Sequence, residues 1–152
     1  MHEADRRRQL WLRLAAVGAG AVILGSFMPW VKVTAPFIGT LSKSGVEAGD
    51  GWISAVLGAV AGMVALSALS GSERPASRWA IGATSCLAFV LGVFELVDVK
   101  SITDDMDSEV ALASVGVGLN LLLAGAGLAV FSALFVGTPP EPFMESAADL
   151  HI

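Results

Sequence analysis

Four long apolar segments dominate the chain, at residues 14–31, 52–70, 79–97 and 110–136. Each contains about 18 residues or more, and a helix of that length crosses most or all of a hydrocarbon core about 30 Å thick. The pattern therefore predicts an all-α membrane protein, built as an antiparallel four-helix transmembrane bundle.

The remaining residues are too few for a separate soluble domain. We predict three parts: a basic N-terminal tail over residues 1–13, the transmembrane domain over 14–136, and an acidic tail over 137–152. The last part begins with Gly-Thr-Pro-Pro, which is expected to end the fourth helix, and its acidic remainder is predicted to be disordered.

Basic residues are distributed unequally between the two predicted sides of the bilayer. The side with the N-terminus and the second connection has six, and the opposite side has three. By the positive-inside rule, both termini are expected in the cytoplasm, with the protein in the plasma membrane. The six are Arg6, Arg7, Arg8, Arg13, Arg74 and Arg78, and the three are Lys32, Lys43 and Lys100.

The first connection contains two runs rich in β-branched and aromatic residues, 31–34 and 37–41, separated by Ala35 and Pro36. This pattern favours a small β-hairpin over the outer mouth of the bundle. The frequent Gly, Pro and Ser residues also fit an irregular loop, because two strands alone are marginally stable.

Small residues recur at helical spacing and predict close contacts between helices, since association in lipid depends on close backbone approach. The same surfaces can instead contact another protein, and spacing alone does not separate these uses. The predicted packing residues are Gly58, Gly62, Ala80, Thr84, Ala88, Gly92, Gly125 and Ala129.

Each of the four tryptophans lies near the end of a predicted helix, where an indole ring sits in the membrane interface and its N–H reaches water. We predict that all four are interface anchors: Trp11, Trp30, Trp52 and Trp79.

Three polar residues within or beside the spans are candidates for function. Glu95 and Asp98 are three positions apart near the end of the third segment, and Asn120 is predicted to lie about three turns into the fourth. A Glu95 side chain facing the bundle favours proton binding, whereas one at the interface simply reaches water. Asn120 is expected to hydrogen-bond across to a neighbouring helix.

Other chemistry has little support in the sequence. No nucleophile–base pair, metal-ligand spacing or phosphate loop is present, so we predict a protein that is not an enzyme and has no cofactor or metal. The lone Cys86 is read as a packing residue. The only basic cluster lies where a topology signal belongs, which argues against nucleic-acid binding.

The segments 27–30 (FMPW), 44–45 (SG) and 49–52 (GDGW) resemble those of small, mostly uncharacterised four-span membrane proteins of high-GC Gram-positive bacteria. That resemblance covers the first two helices and implies a bacterial plasma membrane. The layout is also similar to the claudin and tetraspanin plan, but the chain lacks the paired loop cysteines of those families. No function is carried over from layout.

Two function classes remain. The first hypothesis is a non-enzymatic accessory or scaffold subunit in the lipid bilayer that binds a partner membrane protein, or further copies of itself, through its small-residue faces and its outer loop. The alternative is a small oligomeric transporter or channel in which Glu95 and Asn120 line a path. A membrane-embedded enzyme is the third and weakest alternative.

Overall fold

The computed structural model describes residues 3–35, 39–71, 76–106 and 112–136, and it is mostly helical. The long helices are α1 (Glu3–Phe27), α3 (Gly51–Leu69), α4 (Ser77–Met106) and α5 (Val117–Phe135), and α2 (Gly45–Ala48) is a single turn. Within the described residues, four segments are long and apolar enough to cross a membrane: Asp5–Phe27, Gly51–Leu69, Ser77–Ser101 and Val117–Phe135. The prediction of four such helices is confirmed.

The four long helices form a bundle in which α1 packs against α3 and α5, and α4 packs against the same two helices. On the α1–α5 contact, Gly18 lies beside Gly125 and Gly25 lies beside Gly118. This reversed order shows that α1 and α5 are antiparallel. Ridges of side chains are absent at these glycines, so the two backbones approach each other closely.

Larger side chains fill the two ends of the bundle. The core at one end includes Leu12, Ile81 and Val136. The core at the other end, which we call the cap end, includes Trp30, Leu119 and Leu122. Glycine, alanine and serine line the helices between them, which allows tight packing at mid-height.

A three-stranded antiparallel sheet covers the cap end, with the order β2-β1-β3. Its strands are β1 (Pro29–Ala35), β2 (Gly39–Ser44) and β3 (Leu112–Val115). The predicted β-hairpin is confirmed as β1 and β2, and β3 extends it on the other side of β1. The fold is therefore not all-α.

Two predicted helix bounds are wrong for the same reason. The first helix ends at Phe27 instead of residue 31, and the last begins at Val117 instead of residue 110. Apolar β-branched residues suit strands as well as helices, and the partner strand decides between them. Here Val31 pairs with Val115 and Val33 with Ala113.

The ends of the chain differ in what the structure describes. Helix α1 begins at Glu3, so residues 3–13 of the predicted basic tail are helical. The predicted acidic tail, residues 137–152, lies outside the described residues.

Candidate functional site: the sheet cap

The sheet cap, by which we mean β1, β2, β3 and α2, is fixed to the bundle by Trp30. This side chain is 1% exposed, and its Nε1 donates a hydrogen bond of 2.9 Å to the carbonyl of Gly25. Its ring lies directly against the backbone of Gly45 at the start of α2. The prediction that Trp30 is an interface anchor is wrong, because its indole is buried and its N–H is bonded within the protein.

Close backbone contacts join β1 to the start of α5. The amide of Gly116 donates to the carbonyl of Trp30 at 2.6 Å. Gly118 lies against the carbonyls of Gly25 and Met28, where an added Cβ would approach both oxygens within 2.7 Å. A side chain at Gly116 would push against β1, and one at Gly118 would push against the end of α1.

The turn after β2 is held by a capping box. The Ser44 hydroxyl accepts from the Glu47 amide, while the Glu47 carboxylate accepts from the Ser44 amide at 2.9 Å and from its hydroxyl at 3.0 Å. These hydrogen bonds from Ser44, helped by the charge of Lys43, lower the pKa of Glu47. The carboxylate form of Glu47 therefore stabilises α2.

Acidification is expected to open this turn. Because the folded pKa of Glu47 is lowered, its contribution is present above the unfolded pKa of about 4.3 and is lost as the pH falls through the folded value. We expect the hydrogen-exchange protection factors of residues 44–49 to decrease as the pH falls from the unfolded pKa through the folded pKa of Glu47. In Glu47→Gln the protection should be weaker and independent of pH, and an unchanged pH response in this variant would contradict the assignment.

The outward face of the sheet is polar, and one of its edges is open. The pairs Lys32–Ser42 and Thr34–Thr40 lie on this face, with the two threonine hydroxyls 3.1 Å apart. Strand β1 is central and β3 packs against α4, whereas β2 is exposed from Gly39 to Lys43. Among the described residues, no strand pairs with the second edge of β2.

Carboxyl groups meet where the cap joins α3 and α4. Glu95 is half-buried and lies beside Asp50, and the charge of Asp98 acts on it from the same helix. Asp50 and Asp98 are both exposed, so Glu95 lies at the margin of the bundle instead of its centre.

Asn120 differs from its predicted environment. Because α5 begins at Val117, Asn120 lies in the first turn, and the predicted depth of three turns is wrong. Its side chain is exposed, and its Nδ2 donates at 3.3 Å to the carbonyl of Gly116, the residue that precedes α5. The prediction that this amide hydrogen-bonds to a neighbouring helix is therefore wrong. Asn120 and Glu95 are thus not brought into one site by the contacts they form.

The predicted packing residues mostly lie at contacts between helices of this chain. Gly58 and Gly62 face α1, Gly92 faces Leu122 and Leu123, and Gly125 faces α1. Ala88 and Ala129 are buried.

Ala80 and Thr84 are only half-buried, because the buried line on α4 passes through Ile81 and Ser85. Because an α-helix has 3.6 residues per turn, residues that repeat every four positions drift gradually around the helix and do not stay on one face.

The other tryptophans lie on the flanks of the bundle. Trp52 and Trp79 are 56% and 70% exposed, as an interface position requires. Trp11 is half-buried and stacks on Phe135 with ring centroids 5.0 Å apart. Their role as membrane anchors stays a prediction.

Four glycines at close contacts were missed by the sequence reasoning: Gly18, Gly45, Gly116 and Gly118. Gly18 and Gly25 are seven residues apart, as are Gly118 and Gly125, and the two pairs face each other. This matched spacing on two helices was a usable signal. Gly45 and Gly116 had no such signal, since their need for a missing Cβ arises from Trp30 and its neighbours.

The geometry of the cap suits recognition of a polypeptide backbone. An exposed edge strand presents unpaired N–H and C=O groups that can pair with an added strand. The chain matches no protein-family model, and no curated protein is similar to it in sequence.

Proposed function

We propose that the chain is a four-span protein of the plasma membrane with the sheet cap outside and both termini in the cytoplasm. The lengths and hydropathy of the helices support insertion. The excess of Arg and Lys at the end opposite the cap supports the orientation.

Within that membrane we propose a non-enzymatic accessory or scaffold subunit that binds a partner membrane protein through its cap. The observation that carries this proposal is the open edge of β2. Most of the predicted small-residue surfaces are already occupied by contacts between α1, α3, α4 and α5. The exposed strand therefore offers a partner a better binding surface than those helix faces, so the proposal keeps the outer loop of the initial hypothesis and drops the small-residue faces.

Site-specific photo-crosslinking in native cells tests this proposal. A photoreactive residue at Leu41, which is 64% exposed on β2, is expected to capture one defined partner. The matched control is Val17, which is 63% exposed on α1. Leu41→Pro removes a backbone amide from β2, and proline cannot donate a hydrogen bond to an added strand. We therefore expect this variant to lose co-purification of that partner.

Two outcomes would contradict the proposal. The first is a chain that elutes alone and is crosslinked equally at Leu41 and Val17. The second is failure of a membrane-impermeant thiol reagent to label Ser42→Cys on intact cells, in a Cys86→Ser background. That labelling tests orientation separately from partner binding.

The alternative, a small oligomeric transporter or channel using Glu95 and Asn120, has less support. Glu95 lies beside Asp50, and the Asn120 amide donates to the carbonyl of Gly116 at the start of α5, so the neighbours of these two residues do not join them into one path. Proteoliposome flux that falls in both Glu95→Gln and Asn120→Ala would favour this alternative over the scaffold.

A further inference from the structure

A groove of about 530 Å³ lies on the flank of the bundle between α4 and α5, at the end opposite the cap. Its walls include Gly82, Ala83 and Cys86 from α4, and Val130 and Leu134 from α5. Arg78 lies at the end of the groove nearest the start of α4. From Arg78 to Cys86 the helix rises about 12 Å, which gives the groove an elongated, mainly apolar wall.

The single charged residue among the lining residues is Arg78. Its guanidinium lies over the ring of Trp79, 5.2 Å from the centroid, and Trp79 itself is 70% exposed. Among the described residues, the guanidinium of Arg78 interacts with this ring. A planar cation beside an interfacial aromatic ring is suited to an anionic phosphate.

The position of the groove indicates which molecule carries that phosphate. The apolar walls belong to segments Ser77–Ser101 and Val117–Phe135, which are long and apolar enough to cross a membrane. In the proposed orientation, Arg78 lies at the cytoplasmic surface, where anionic lipid headgroups attract basic residues. The apolar wall then faces hydrocarbon.

We propose that the groove between α4 and α5 binds one anionic phospholipid, with the phosphate at Arg78 and an acyl chain along Gly82, Ala83 and Cys86. This inference rests on the proposed membrane placement, but not on the partner at β2. Charge selects the headgroup, and the apolar wall excludes water around the chain. The bound lipid is expected to stabilise the contact between α4 and α5.

Native mass spectrometry of the full chain in mild detergent tests the proposal, with phosphatidylglycerol and phosphatidylcholine as probes. We expect one tightly retained phosphatidylglycerol, preferred over phosphatidylcholine by about fivefold. Arg78→Gln should remove that preference. Arg13→Gln, which removes an exposed arginine outside the groove, is the matched control and should keep it.

Cys86 provides a second measurement, because it is exposed and lines the groove. Phosphatidylglycerol is expected to slow the reaction of Cys86 with N-ethylmaleimide, whereas inorganic phosphate is not. Ala83→Leu, which fills the groove from an exposed position, should reduce retention of both lipids. Thermal melting of each variant shows that it is folded.

Equal retention of the two lipids, or an unchanged preference in Arg78→Gln, would overturn the proposal. Protection of Cys86 by inorganic phosphate alone would assign the site to a free anion and would also overturn it. If instead the chain stays monodisperse without detergent, the membrane placement fails as well. Loss of the β2 partner with lipid binding intact separates the two proposals.

Discussion

Gly18→Ala is expected to destabilise the bundle by about 2–3 kcal/mol, even though alanine is the better helix former. An added Cβ at Gly18 would lie 2.6 Å from the carbonyl oxygen of Gly125 and 3.0 Å from the amide nitrogen of Ala129. Both atoms belong to the backbone of α5, so no side-chain rotation relieves the overlap. The helices α1 and α5 must separate along their contact.

Gly20→Ala is the matched control for this substitution. It is on the same helix, and an added Cβ there meets nothing within 4 Å. Because only helix propensity acts at this position, we expect a neutral effect or a gain of about 1 kcal/mol. Equilibrium unfolding in mixed micelles with increasing dodecyl sulfate, followed by circular dichroism, measures both. Equal stability of the two variants would mean that α1 and α5 do not meet at Gly18.

Trp30→Ala is expected to cost about 3–5 kcal/mol and to release the sheet cap from the bundle. The substitution removes a fully buried ring, opens a cavity against Gly45, and leaves the carbonyl of Gly25 without its indole donor. Trp30→Phe keeps most of the apolar volume and loses the hydrogen bond. Its expected cost is smaller, about 1–2 kcal/mol.

Trp52→Ala separates this effect from the general loss of a tryptophan. Trp52 is 56% exposed and contacts the ring of Phe27 edge to face, so its removal leaves no enclosed cavity. We expect hydrogen exchange of β1 and β2 to accelerate strongly in Trp30→Ala and little in Trp52→Ala. Similar exchange in the two variants would show that Trp30 does not hold the cap.

Gly18 and Trp30 have different structural roles in the proposed function. The contact at Gly18 holds the helices together, whereas Trp30 positions the strands that present the open edge of β2. A Trp30→Ala chain that stays helical is therefore expected to lose its partner at β2. The lipid at Arg78 is at the other end of the bundle and should still bind.

The candidate site was only partly predictable because its residues acquire their roles from distant contacts. Glu95 stood out as a carboxyl group in an apolar segment, but its neighbour Asp50 precedes a different helix. Trp30 and Trp52 both lie near the end of a predicted helix, and only the contacts with Gly25 and Gly45 distinguish the buried ring from the exposed one. Such contacts between distant residues cannot be predicted from the local sequence.

Length and hydropathy were enough to predict the four apolar helices, and the β-branched runs favoured the hairpin without excluding an irregular loop, because these patterns act over neighbouring residues. Tertiary structure decided that residues 112–115 form a strand, since their apolar pattern fits either conformation and pairing with β1 selects one. It also decided which glycines matter. A missing Cβ has consequences where other atoms occupy that space, as the backbone of Gly125 does beside Gly18 and nothing does beside Gly20.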